Sequence, residues 1–111
     1  MSSELDNNRP HDRYLGYRTI DGLVVTVNGK ALPLYRELAD FADGEIEWGY
    51  EGDAPLQLAF ALVMSRRSDK DLALRIAKPL MVHIVSQMAN EWELSGGQLD
   101  EIIVALRHHR T

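Results

Sequence analysis

Between Ala54 and Met64 the chain carries a single polar residue, Gln57. A helix that is apolar on every side has no face to give to water. It must lie at the centre of its domain, with the other elements arranged around it. At 111 residues the chain has the size of one domain. A chain of that length buries roughly two-thirds of the surface it exposes when unfolded, enough for one core without disulfides or metals. The start of the central helix is also marked. Gly49 and Gly52 bracket a bend, and Asp53 is a candidate N-cap, its carboxylate able to accept from the open amides of the first turn. Pro55 falls within that turn, where a missing N–H costs little. Gln57 must be hydrogen-bonded if it is enclosed. It is expected to tie its helix to the backbone carrying Trp48 or to the opening strands.

Upstream, two turn dipeptides punctuate the sequence. Asp21-Gly22 and Asn28-Gly29 both favour the type I′ turn, because these residues tolerate positive φ. Their spacing predicts a three-stranded meander over about 13–20, 23–27 and 30–34. In the middle strand Leu23, Val25 and Val27 alternate with Val24 and Thr26. Pro33 suits a strand end or edge, where no ladder donor is lost. Leu34, Leu38 and Phe41 share a helical stripe and predict a short helix over Tyr35–Phe41, stopped at Asp43-Gly44. Glu45 to Tyr50 then alternates, with Ile46, Trp48 and Tyr50 opposite Glu45 and Glu47, which reads as the fourth strand. Residues 1–11 are polar and aperiodic and read as a disordered tail, leaving 12–111 as a single domain.

Downstream, Asp69 is a cap candidate for a helix carrying Leu72, Ile76 and Leu80, with Ile84 and Met88 at continuing spacing. Pro79 predicts a kink there, or two helices meeting near Lys78. Ser95 and Gln98 form a capping box, and Leu94 and Leu99 stand where a hydrophobic staple needs them. The last helix should run from Gly96 to about His108, with Leu99, Ile102, Ile103 and Leu106 facing the core. The fold class is α+β: a small antiparallel sheet, a three-stranded meander plus a fourth strand, packed against three to four C-terminal helices.

Catalytic chemistry finds little support. There is no cysteine, so disulfides, thiolate metal sites and cysteine nucleophiles are excluded. The histidines are His11, His83, His108 and His109. None forms an HExxH pair, and the adjacent His108 and His109 point about 100° apart on a helix. Glu45 and Glu47 share a strand face but lack the partners a working acid–base site needs. The bend before the central helix lacks both GxGxxG and Gly-Lys-Ser/Thr. No catalytic residue, cofactor or metal is expected, and the chain reads as non-enzymatic. Its start carries no apolar signal segment, and its longest apolar run, Leu58–Met64, is far too short for a bilayer. A cytoplasmic, soluble protein without a membrane partner is expected.

Charge carries more information. The net charge is −5, and the acids are concentrated. Glu37, Asp40, Asp43, Glu45, Glu47, Glu51 and Asp53 occur with no base among them. The first six make a candidate partner-binding face that would steer a basic protein by long-range attraction. Arg66, Arg67, Lys70, Arg75 and Lys78 follow as a candidate basic strip, and Arg107 to Arg110 add more. Trp48, Tyr50 and Gln57 are the candidates if the bend instead holds a small ligand or nucleotide.

Trp48-Gly49-Tyr50, Gly52, Pro55 and Gln57-Leu58-Ala59, followed by Ala61-Leu62, resemble an uncharacterised family of small proteins from phages, bacteria and archaea. Its core pattern is Trp-Gly-Tyr-x-Gly-x-x-Pro-x-Gln-Leu-Ala. The resemblance extends to Tyr14-x-Gly16 and to Trp92-x-Leu94-Ser95. This chain has Asp53-Ala54 where the family pattern carries Ser-Gly. The resemblance implies a domain of unknown function, often in mobile elements, and brings no catalytic residues. The leading expectation is a phage or mobile-element interaction protein that inhibits a host nucleic-acid-handling or defence complex through its acidic face. The alternatives are a small-ligand or nucleotide binder and an accessory DNA-binding protein, direct nucleic-acid contact being disfavoured by the acidic balance. An open edge strand would allow a homodimer.

Overall fold

The computed structural model describes residues 9–108, so the tail expected over 1–11 lies outside the described residues except for its last three. Those three enter a turn closed by Asp12 N–H donating to Arg9 O at 3.1 Å. Strand β1 (Arg13–Thr19), β2 (Gly22–Val27) and β3 (Lys30–Ala31) follow, then helices α1 (Asp53–Arg67) and α2 (Lys70–His83). A 3-10 turn at Val85–Gln87, strand β4 (Trp92–Ser95) and helix α3 (Gly96–Arg107) complete the chain. The four strands form one antiparallel sheet in the order β3-β2-β1-β4. The molecule is thus an α+β structure of a four-stranded antiparallel sheet and three helices.

Helix α1 is the centre of the domain. Leu58 to Val63 are fully excluded from solvent, as a helix without a polar stripe requires. Tyr14, on the inner face of β1, reaches it through a 2.8 Å hydrogen bond between its hydroxyl and Ser65 Oγ. Leu72, Ile76 and Leu80 of α2 and Leu99 and Ile103 of α3 close the core. The cap of α1 differs from expectation. Gly52 is the N-cap and makes no side-chain cap bond. Asp53 lies inside the first turn, where it meets the positive end of the helix dipole instead. Asp69 does cap α2, accepting from Leu72 N–H at 3.1 Å, and Ser95 and Gln98 form the full capping box of α3. Helix α2 runs through Pro79 to His83 without a break.

The hairpins follow the turn chemistry in one case and not in the other. Asn28 and Gly29 adopt φ of 53° and 82° between β2 and β3. The first hairpin instead turns one residue early, on Ile20 and Asp21. The Thr19 hydroxyl locks it by accepting from Asp21 N–H and donating to Gly22 O. Strand β3 is short because Pro33 offers no ladder donor, although Leu32 N–H still bonds Val25 O at 3.0 Å.

The fourth strand is not Glu45–Tyr50. Trp92–Ser95 occupies the place beside β1, pairing Gly16 with Trp92 and Tyr14 with Leu94. The alternation from Glu45 to Tyr50 breaks at Gly49, whose φ of 92° turns the chain. Trp48 is therefore 1% exposed while Tyr50 is 50% exposed. The sheet and this segment meet through aromatic rings. The Trp92 indole lies directly on Gly16, where any Cβ would overlap it. Trp48 stands edge-on to Trp92 at 5.8 Å and 89°.

Substituting Gly16→Ala therefore overpacks the Gly16–Trp92 contact. The expected cost is about 1–3 kcal/mol. Urea unfolding followed by tryptophan fluorescence measures it, and the folded-state emission should also shift.

Candidate functional site

From Leu32 to Gly52 the chain forms neither helix nor strand. Loops longer than about 12–15 residues without secondary structure are uncommon in compact domains and are usually functional or mobile. This one is fastened from below. Gln57, fully buried in α1, accepts from Phe41 N–H at 2.8 Å and donates to Leu34 O and Ala39 O at 3.0 Å each. The Phe41 ring packs edge-on against Phe60 at 5.6 Å. Farther along, Gly49 N–H donates to Val85 O at 3.0 Å.

These bonds explain why no helix forms over Tyr35–Phe41. A helix over these residues needs the Phe41 N–H and the Leu34 carbonyl for its own ladder, and Gln57 engages both. Only a tight turn survives, with Leu38 and Ala39 N–H donating to Tyr35 O. Tyr35 itself sits at φ 58° and Asp43 at φ 52°. Side chains at such angles cost about 1–3 kcal/mol each and persist where the surroundings over-determine them. Burial pushes the Tyr35 hydroxyl pKa up, with further contributions from Tyr14 and Glu37.

The loop carries the acidic residues outward. Glu37, Asp40, Asp43, Glu45 and Glu51 are exposed. Asp40 also accepts from Gly44 N–H at 2.9 Å, which braces the turn. Glu37 borders a recess of about 450 Å³ that Leu34, Tyr35 and Gly44 also line. Glu47 is different. Its carboxylate is held by the Arg18 guanidinium in two bonds of 3.1 and 3.2 Å. That guanidinium lies 4.8 Å over the Trp48 ring and also donates to Asn90 Oδ1. The bond from Arg18 holds the Glu47 carboxyl below the usual carboxylate range, although partial burial opposes this. Glu47 thus fastens β1 to the loop, and the outward acids are the other five.

The bend residues separate. Gln57 is sealed, with both ends of its amide engaged by backbone. Trp48 is buried and Tyr50 stands half exposed beyond Gly49. The indole N–H groups of Trp48 and Trp92 are buried with no hydrogen-bond partner among the described residues.

The basic strip also divides. Arg66 is not on a surface, its side chain being 2% exposed. It makes a two-pronged bond to Asp100, a 2.9 Å bond to Asp12 and a 3.1 Å bond to Arg9 O. Bonding to Asp100 raises its pKa against the opposing effect of burial, so it stays charged. The side chain thereby joins the turn before β1 to α1 and α3. Gly96 and Gly97 N–H add bonds to Asp12 O and Pro10 O. Arg67 is half-buried, while Lys70, Arg75 and Lys78 are exposed. The sequence signal for Arg66 was its place one turn after Leu62 on a helix buried all round. His109 and Arg110 lie outside the described residues.

A family model matches the chain over residues 14–105. The chain belongs to DUF6166, a family of unknown function. The DUF6166 match takes in all four strands but for Arg13, the acidic loop, Gln57 and nearly all of α3. No curated protein and no solved structure matches the chain. No helix among the described residues is long and apolar enough to cross a membrane.

Replacing Gln57→Leu should keep the helix but leave one amide and two carbonyls of the loop without partners, costing about 2–4 kcal/mol. Chemical unfolding measures the loss, and proteolysis should cut first within 32–52. A second outcome follows from Glu47. Its folded pKa is lowered, so the stability it supplies is present above its ordinary value of 4.5 and is lost as pH falls through the folded value. The stability advantage of the native chain over Arg18→Met should therefore be full at neutral pH and shrink below that point.

Proposed function

We propose that this DUF6166 protein is a non-enzymatic interaction module that presents the loop 32–52 as a preformed acidic face to a basic protein. The observation that carries this reading is the fastening of the loop by Gln57. Together with the Gly49–Val85 and Arg18–Glu47 bonds, it orders a segment that carries five outward carboxylates and has no regular structure of its own. A loop ordered before binding does not lose its conformational entropy on association. Clustered carboxylates on it steer a cationic partner at long range. The partner chemistry that such a face complements is the phosphate-binding surface of a nucleic-acid-handling protein. The specific form of the reading is inhibition of a host complex of that kind, a defence complex included, by a phage or mobile-element protein in the cytoplasm.

The test uses the full chain as bait beside an E37K/E45K/E51K variant. Glu47 is left in place because it holds Arg18. The native chain should retain a basic nucleic-acid-binding protein that duplex DNA and added salt displace, and the variant should lose it. Retention of the same proteins by both chains contradicts the proposal.

A further inference from the structure

A second surface has the opposite character. Helices α2 and α3 pack side by side and leave a cleft of about 490 Å³ between them. Its floor is apolar, made by Ile76, Pro79, Val82 and Leu106, and its rim is basic, made by Arg75, Lys78, His83 and Arg107. The four rim residues are exposed. Among the described residues none of them makes an ion pair, every pair involving Arg13, Arg18 or Arg66 instead. In a chain of 17 acids against 12 lysines and arginines, this cleft gathers four basic side chains around an apolar floor with no acid among its lining residues. Helix dipoles account for part of it, since His83 and Arg107 stand in the last turns of their helices. Arg75 and Lys78 lie mid-helix, where the dipole gives no reason for a cation.

We infer that this cleft receives an acidic amphipathic helix of a partner protein. Its apolar side lies on Ile76, Pro79, Val82 and Leu106, and its carboxylates meet the rim. The spread of the rim favours a helix over a single anion. Arg75 and His83 are eight positions apart on α2, about 12 Å along the axis. One head group reaches one or two of the four basic side chains. Carboxylates one and two turns apart on a facing helix reach all of them, the helix-in-groove mode of recognition. Duplex DNA would satisfy the rim but leave the apolar floor against water. The site is independent of the acidic loop, so either can fail without the other.

The test is fluorescence anisotropy of the full chain with a labelled peptide of about 20 residues, long enough to hold a helix. Leucines are placed at helical spacing on one face and glutamates beside them. The comparison set is a scrambled peptide of the same composition, duplex DNA and dodecanoate. The ordered peptide should bind, and the scrambled one should bind at least about tenfold more weakly, because only the ordered one aligns both faces. R75E/K78E should weaken the ordered peptide by roughly tenfold or more, since it reverses two rim charges. Both positions are exposed, so the thermal melt of that variant should match the native chain, which separates lost binding from lost folding. E37K/E45K/E51K should bind the peptide as the native chain does. Equal binding of scrambled peptide or DNA, no binding of the ordered peptide, displacement of it by dodecanoate, or indifference to R75E/K78E overturns the inference.

Discussion

The amide of Gln57 sits in the middle of a helix that is otherwise apolar, and its three hydrogen bonds reach backbone 16 to 23 residues upstream. An amide sealed in a core must be satisfied there, because water cannot reach it. In this chain nothing in the helices or the sheet satisfies it, and the long loop does. The same three bonds therefore complete the core and order the loop. They also deny that loop a helix of its own, and they leave Tyr35 and Asp43 in left-handed conformations that a free segment would not keep. Glu37 and Asp40 lie within the stretch this fastening orders, while the Glu47–Arg18 and Gly49–Val85 bonds brace the stretch between Glu45 and Glu51.

Arg66 works similarly at the other end of α1. Its charge is buried, so it needs carboxylates, and Asp12 and Asp100 come from parts of the chain that are otherwise far apart in sequence. Through it the turn before β1, the central helix and the start of α3 are held together, while Asn28 binds Asp12 from the second hairpin at 2.9 Å. The two buried polar side chains on the central helix, Gln57 and Arg66, thus each gather segments that apolar packing alone would leave free to slide. Between them the Trp48, Trp92 and Arg18 stack fixes the sheet edge against the loop.

Much of this architecture was legible in the sequence where the cause was local. The central helix declared itself by composition, Ser95-Gln98 by capping chemistry, and Asn28-Gly29 by tolerance of positive φ. What the sequence concealed was non-local. Strand β4 is four residues long, too short for alternation to show, and it is a strand because Gly16 gives Trp92 room. The helical stripe of Leu34, Leu38 and Phe41 is real as a pattern, but Gln57 overrides it. The acidic residues were visible as a block. The removal of Glu47 from that block was not, because Arg18 lies 29 positions away. Arg66 passed for a surface base because its two carboxylate partners carry no sequence mark.

The two surfaces that result are electrostatically opposed. One is an irregular loop with outward carboxylates, and the other is a helical cleft with a basic rim. A protein with both would engage partners of different kinds without competition between them. The acidic face, however, is a preformed surface only if the loop is ordered in the free protein. Amide hydrogen exchange at Phe41 tests this most directly, since that N–H is bonded to the Gln57 side chain and takes no part in a helix or sheet ladder. The account predicts that Phe41 exchanges as slowly as the core amides of α1, through an opening of similar free energy. Exchange at Phe41 close to the rate of an unfolded chain, with α1 still protected, would contradict it.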